Sequence, residues 1–193
     1  MTEIAASITA STDATIANAS AVKKPLVDRI WFNALWFQSI WFSTVLGGDT
    51  LLPLAAGLLL LHLVLVRNTW HELLQLSTLA AIGISVDATL STAGIFQFPR
   101  DVLVPLWLCC LWLGFAATLT RSLAYLGSRP LLVAAAGAVV FPLNYWAGQR
   151  LGAVDFPEGL SVTMGIMAVS WMCVLPAMYK VAGQLTRARE QQP

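Results

Sequence analysis

The sequence predicts an all-α, polytopic integral membrane protein whose six transmembrane helices form one bundle. The first observation is composition: 58% of the 193 residues are hydrophobic and only 11% are charged, whereas about a quarter of a typical soluble domain is charged. The second is that six long apolar stretches follow one another, and such runs are helical in lipid because the bilayer offers no partner to an unpaired backbone group. A net charge of +1 leaves no basic patch for nucleic acid, which excludes that class of partner.

Each stretch is judged by whether it can cross about 30 Å of hydrocarbon, which takes about 20 residues at roughly 1.5 Å per residue. The second stretch is short but contains four consecutive leucines, and the third is interrupted by Asp87. Pro105 stands near the start of the fourth, where proline is tolerated, whereas Pro142 and Pro176 lie inside the fifth and sixth and predict kinks. In order, the predicted spans are residues 30–48, 50–66, 73–96, 102–120, 131–149 and 160–179.

The basic residues predict the orientation of the six spans. If the N-terminus lies in the cytoplasm, nine of the eleven Lys and Arg residues fall on the cytoplasmic side, and only Arg100 and Arg150 fall outside. Because short cytoplasmic loops carry an excess of Lys and Arg, this threading is favoured and places both termini in the cytoplasm. We therefore expect a multi-pass protein of the bacterial inner membrane. The nine inner residues are Lys23, Lys24, Arg29, Arg67, Arg121, Arg129, Lys180, Arg187 and Arg189.

The chain divides into a membrane domain and two tails. Residues 1–29 are predicted to form a flexible cytoplasmic tail, because they are rich in Ser, Thr and Ala and precede the first apolar run. They carry Glu3 and Asp13 and lack a basic start, which is not typical of a signal peptide. Residues 30–180 form the predicted six-helix transmembrane domain and residues 181–193 a cytoplasmic C-terminal tail. Because the loops are short, we expect any activity to lie within the bilayer or at its surfaces.

Asp87 is the first candidate for a functional residue, because an acidic side chain inside a span is costly unless it is paired or hydrated. It shares a helix face with Ala80 and Gly83, a small-residue stripe that lets another helix approach closely. At roughly 1.5 Å per residue it lies about 21 Å above Leu73, and Asn144 of the fifth span reaches almost the same height. The favoured interpretation is an interhelical hydrogen bond or ion pair that fixes packing; the alternative is a polar site under the outer surface that holds a proton, an ion or a lipid headgroup. The candidate residues are Asp87, Asn144, Tyr145 and Arg150.

Tryptophan recurs every five residues in the first span, at Trp31, Trp36 and Trp41. This step turns successive side chains by roughly 140°, so they are distributed around the helix and do not share a face. One interpretation is packing with mutual hydrogen bonds, and the alternative is an aromatic-walled cavity for a lipid tail, a quinone or a polyene. The candidate residues for the cavity lining are Trp36, Gln38 and Trp41.

His62 lies near the cytoplasmic end of the second span, and His71 and Glu72 stand in the loop beside it. Three such groups invite a metal site, but zinc usually needs three or four ligands and no second histidine lies at helical ligand spacing within a span. We therefore expect solvated loop polarity, with no metal and no cofactor. The sequence contains no phosphate loop, nucleophile elbow or zinc-protease motif, so an enzyme is not favoured.

Four groups of residues, taken together, indicate a resemblance to a known family. They are Trp31, Asn33, Phe37, Gln38 and Trp41; Gly83, Asp87 and Gly94; Pro105, Leu106 and Trp107; and Pro142, Tyr145, Gly148 and residues 150–153. Over about residues 30–179 the chain resembles a family of small bacterial inner-membrane proteins catalogued as domain of unknown function 2878. The genes of this family often lie near lipid-modifying enzymes of the cyclopropane fatty-acid type, so the resemblance implies a lipid-linked role. It assigns no functional residue.

Three functions remain open at this point. The leading hypothesis is an accessory or lipid-handling component of membrane-lipid metabolism, whose partners are membrane lipids and another membrane protein or a lipid enzyme. The first alternative is a proton-coupled small transporter or flippase centred on Asp87, with Asn144 and Arg150 holding the substrate. The second alternative is an intramembrane enzyme that acts on a lipid or isoprenoid in the tryptophan-lined cavity.

Overall fold

The computed structural model describes residues 25–191, and within them the chain forms six α-helices and no strand. The predicted all-α class is therefore confirmed. Three of the helices, α3, α5 and α6, are long and apolar enough to cross a membrane. The helices are α1 (Ile30–Gly47), α2 (Leu52–Leu65), α3 (Thr69–Thr92), α4 (Leu106–Leu119), α5 (Pro130–Arg150) and α6 (Leu160–Glu190).

The second and fourth helices are shorter than the spans predicted for them. Each has 14 residues, which rise about 21 Å and do not cross about 30 Å of hydrocarbon when straight. Pro53 fixes the first turn of α2, and the chain becomes extended at Val66. Pro105 is extended and directly precedes α4, while Thr120 leaves helical geometry at the other end of that helix. Hydropathy alone did not locate these ends, because the flanking residues are apolar but not helical.

The structure describes only part of each predicted tail. Residues 1–24 and 192–193 lie outside the described part of the chain, so the tail prediction is not addressed there. Next to them, Leu26–Asp28 form a short 3-10 helix whose Val27 is buried against the bundle. At the other end, α6 continues to Glu190, and its last turn carries Arg187 and Arg189, which favour a helix C-terminus.

Helix α4 occupies the centre of the first four helices and packs on α1, α2 and α3. Helices α5 and α6 form a closely packed pair, which joins the others through α6 against α3. The pair packs closely because Gly137 of α5 faces the main-chain carbonyl of Trp171 of α6, and a methyl group there would overlap that carbonyl. Since α4 and α5 are not in extensive contact, a cleft is left between them.

The outside of the bundle is apolar around much of its circumference. Large hydrophobic side chains are exposed on several helices, including Val64 on α2 and Leu131 on α5, which are 80% and 87% exposed. Exposed apolar surface of this extent is unfavourable in water and normal against lipid. The end of the bundle at which α1 begins carries the short 3-10 segments Leu26–Asp28 and Ala124–Ser128. At the opposite end, Gln97 and Asp155 pair through their backbones and join the segments before α4 and α6.

Candidate functional site: an aromatic cleft and a buried ionic cluster

The cleft between α4 and α5 is the main cavity that we consider as a functional site. It has a volume of about 200 Å³, and seventeen residues from α1, α4, α5 and the adjoining segments line it. Two of them, Val140 and Asn144, are exposed, so the cleft opens on the apolar outside of the bundle. Eight of the lining residues are aromatic: Phe37, Trp41, Phe98, Trp107, Trp112, Phe115, Phe141 and Tyr145.

Two nearly parallel rings form one wall of the cleft, and a third ring packs against both of them. The planes of Trp112 and Phe141, which both line the cleft, are inclined by only 17° to each other. Trp171 of α6 stacks on both, with ring centroids 5.1 Å from Trp112 and 4.1 Å from Phe141. Trp112 also lies directly over Gly83 of α3, where a methyl group would overlap its ring. The small-residue stripe predicted on α3 therefore accommodates the large side chain of Trp112.

Asp87 lies behind this wall and is fully buried. The indole Nε1 of Trp112 donates a hydrogen bond of 2.7 Å to its carboxylate Oδ2. The phenol of Tyr145 approaches the same carboxylate from α5. Asp87 Oδ1 and the Tyr145 hydroxyl are both buried, and neither forms a hydrogen bond of good geometry with a described residue. The carboxyl group thus contacts two side chains of the cleft wall without lining the cleft itself.

The structure brings together only part of the predicted polar site. Asp87 and Tyr145 are neighbours. Asn144 lines the cleft, but its amide donates to the carbonyl of Val140 on its own helix. Arg150 is exposed at the end of α5. Among the described residues, neither Asn144 nor Arg150 forms a hydrogen bond or ion pair with Asp87, because depth fixes height along the bundle but not direction around each helix.

The structure also brings together only part of the aromatic cavity predicted for the first span. Trp41 lines the cleft. Trp36 faces elsewhere: it is buried, its indole donates to the carbonyl of Leu58 at 2.9 Å, and its ring stacks on His62. Gln38 is exposed and does not line the cleft. The five-residue step rotates each side chain by roughly 140°, so one cavity cannot use both Trp36 and Trp41.

A second polar site, which we call the ionic cluster, lies at the end of the bundle where α1 begins. It consists of Asp28, His62, Glu72 and Arg121. Glu72 accepts hydrogen bonds from Arg121 Nη1 and Nη2, both at 2.8 Å, and its Oε1 also lies 2.8 Å from His62 Nε2. Arg121 Nε donates to Asp28 at 3.0 Å. The cluster therefore links the segment before α1 with α2, α3 and the segment after α4.

The expectation of solvated loop polarity around His62 and Glu72 was wrong. His62 is 1% exposed and Glu72 is 3% exposed, so both are inside the protein. Burial alone would lower the pKa of Arg121, but its hydrogen bonds and attraction to Glu72 and then to Asp28 raise that pKa, so the guanidinium stays charged. Since Glu72 has a permanent cation beside it, it can be buried as a carboxylate.

The backbone around Arg121 is held from two sides. Asn33 of α1 is buried, and its Oδ1 accepts hydrogen bonds from the main-chain nitrogen and the hydroxyl of Ser122. From α6, the Tyr179 hydroxyl donates to the carbonyl of Leu123. These hydrogen bonds fix the segment that carries Arg121 and so hold its guanidinium beside Glu72. Within residues 25–191, no group of three or more His, Cys, Asp or Glu side chains is placed to hold a metal ion.

These features define a class of protein: a helical bundle with an apolar exterior, three helices of membrane length and polar groups buried inside. The chain belongs to the family described as protein of unknown function (DUF2878), whose model matches residues 30–177. The resemblance seen in the sequence is thereby confirmed. Comparison with curated proteins and with solved structures found no match. The matched region contains the whole aromatic cleft and all of the ionic cluster except Asp28.

Proposed function

We propose that this protein spans the bacterial inner membrane six times, with both termini in the cytoplasm, and binds the apolar chain of a membrane lipid as an accessory component of lipid metabolism. The observation that carries the proposal is the aromatic cleft, which opens on the apolar outside of the bundle. A ligand can enter such a cleft from the bilayer without crossing water.

The packing and the charges support six spans. Helices α2 and α4 are short, but each packs among the other first four helices, and a short span is accommodated by local thinning of the bilayer at modest cost. Charged residues gather at the two ends of the bundle: the ionic cluster lies at one, and the Asp49–Arg100 pair lies at the other. The nine-to-two distribution of basic residues supports a cytoplasmic position for the ionic cluster.

Reporter fusions test this topology. We expect fluorescent-protein fusions at the N-terminus and at the C-terminus both to fluoresce, because that reporter folds in the cytoplasm. An alkaline phosphatase inserted after Arg100 should be active, because this residue lies between α3 and α4 on the external side in the proposal. Two fluorescent termini with an inactive phosphatase at Arg100, or one fluorescent terminus only, would rule out the six-span arrangement.

The size and lining of the cleft support binding of a hydrocarbon segment. An apolar cavity of about 150 Å³ is large enough to hold benzene, so about 200 Å³ accommodates part of a lipid chain. The polar side chains of the lining are largely committed elsewhere: the Asn144 amide bonds to its own helix, and the Tyr145 hydroxyl is directed to Asp87. The cleft therefore offers contact surface for hydrocarbon and little for a polar solute.

This distribution of polar groups favours lipid binding over the proton-coupled carrier. A carrier of a polar substrate needs polar groups that converge on the substrate. In the described part of the chain, Asn144 and Arg150 do not converge with Asp87. Asp87 instead anchors Trp112, which is a wall of the cleft.

Native mass spectrometry tests the binding. We expect the wild-type protein, released from nanodiscs made with its own membrane, to retain one lipid class enriched about tenfold over the bulk, which corresponds to about 1.4 kcal/mol. Leu111→Trp should remove this enrichment because Leu111 lines the cleft and a larger ring fills it. Leu60→Trp is the matched control, because Leu60 is exposed on α2 outside the cleft. Equal retention in the two variants would refute a cleft-bound lipid.

A further inference from the structure

The aromatic content of the cleft exceeds that of the chain. Eight of the seventeen lining residues are aromatic, whereas aromatic residues make up 10% of the sequence. A cavity that only had to receive a saturated chain would be served equally by leucine and valine, which are abundant in this protein. The concentration of rings therefore needs a reason of its own.

The bilayer explains why aromatic rings are concentrated in the cleft. A saturated chain gains no hydrophobic free energy on moving from lipid into the cleft, because lipid tails are as apolar as the protein wall. Only contacts that lipid tails lack can select an occupant. Aromatic rings provide such contacts, since an offset-stacked or edge-to-face pair of π systems adds about two- to tenfold in affinity beyond the area that it buries.

The two rings of the wall are nearly parallel and are held in place by neighbouring side chains. Trp112 and Phe141 lie within 17° of parallel, and Trp171 supports both rings from behind. Trp112 is held further by its hydrogen bond to Asp87 and by its seat over Gly83. A wall that needs no reordering retains the whole stacking gain for the ligand.

We propose that the cleft selects a conjugated polyene segment of a membrane lipid or isoprenoid over a saturated chain. A quinone ring is planar as well, but each of its two carbonyl oxygens needs a hydrogen-bond donor when buried, and most of the side chains that line the cleft are apolar. The Asn144 amide and the Tyr145 hydroxyl, which also line the cleft, are directed to Val140 and Asp87. A polyene presents a planar π system and needs no donor. This inference rests on the proposed function, because it names the ligand class of the same cleft.

Competition binding tests the selection. Full-length protein in nanodiscs is titrated with parinaric acid, a fluorescent conjugated fatty acid, whose emission is followed on excitation of the protein's tryptophans. A saturated fatty acid of the same length, a decyl benzoquinone and a retinyl ester serve as competitors. We expect the saturated acid to compete at least about tenfold more weakly than parinaric acid, as two stacking contacts would give. Tighter binding of the retinyl ester than of parinaric acid itself would assign the polyene to an isoprenoid, and weaker binding would assign it to an acyl lipid.

Variants locate the selection in the wall. Phe141→Leu removes one π face and should reduce the preference over the saturated acid by about fivefold, whereas Trp70→Leu, on an exposed ring of α3 outside the cleft, should leave it unchanged. Val140→Phe is the second variant. Val140 lines the cleft but is 50% exposed, so the change adds a π face without disturbing the core and should increase the preference.

The outcomes separate this inference from the proposed function. Saturable binding in which the saturated acid competes equally would overturn the polyene selection and leave lipid binding intact. Stronger competition by the benzoquinone would overturn it in favour of a ring ligand. If none of the probes binds saturably, the proposed lipid-binding function fails as well.

Discussion

Glu72→Ala is expected to lower the stability of the folded protein more than any other single substitution of a polar residue. The change leaves the buried His62 and the guanidinium of Arg121 without their shared carboxylate, whose hydrogen bonds to them are all 2.8 Å. Breaking a buried pair on one side costs about 3–5 kcal/mol, which is a large part of the total stability of about 5–15 kcal/mol of a typical domain. Thermal unfolding in mild detergent, followed by size-exclusion chromatography, measures the loss.

Asp49→Ala is the matched control for this substitution. It also removes one carboxylate from an ion pair with arginine, but Asp49 and Arg100 are 48% and 78% exposed. Exposed pairs contribute about 0–1 kcal/mol, so the melting temperature should change little. Similar melting temperatures for Glu72→Ala and Asp49→Ala would show that the ionic cluster does not hold the bundle together.

Gly83→Ala is expected to open the wall of the cleft. The added methyl group overlaps the ring of Trp112, which must move away from α3 and leave its hydrogen bond with Asp87. Overpacking and a buried carboxylate without its donor together cost about 2–5 kcal/mol. The substitution should therefore lower the melting temperature and release the lipid that we propose for the cleft, read out by unfolding in detergent and by native mass spectrometry.

Gly57→Ala separates this effect from the general effect of alanine in a helix. Gly57 lies in α2, is exposed, and has open space where a methyl group would stand. Alanine should stabilise the helix there by about 0.5–1 kcal/mol. If Gly83→Ala behaves like Gly57→Ala and keeps its lipid, Trp112 is not the wall that we describe.

The helices could be predicted from the sequence because the apolar runs are long and the breaks between them are polar or contain proline. The start of α1 at Ile30 and that of α6 at Leu160 agree with the predicted spans. The role of Gly83 and Asp87 as a close-packing face was also accessible, since small residues on a helix face require a neighbour. The identity of that neighbour could not be predicted, because helical periodicity assigns residues to faces but does not tell which helix packs against them. The neighbour is Trp112 of α4.

The ionic cluster was missed for a related reason. His62 and Glu72 stand at the ends of two consecutive helices, and each appears solvated when considered alone. They are buried because Arg121, 49 residues further along than Glu72, arrives beside them. One signal was present in the sequence: Glu72 and Arg121 lie at span ends that the threading places on the same side of the membrane, and opposite charges at one depth can pair.

Photo-crosslinking in the membrane tests whether the cleft between α4 and α5 holds a lipid chain. A photoreactive phenylalanine analogue is placed at Leu111 in the cleft and, in a second variant, at the exposed Leu60. After irradiation in intact membranes, we expect one dominant lipid adduct at position 111 and, at position 60, a mixture that follows bulk lipid composition. The same bulk mixture at both positions would contradict a selective cleft.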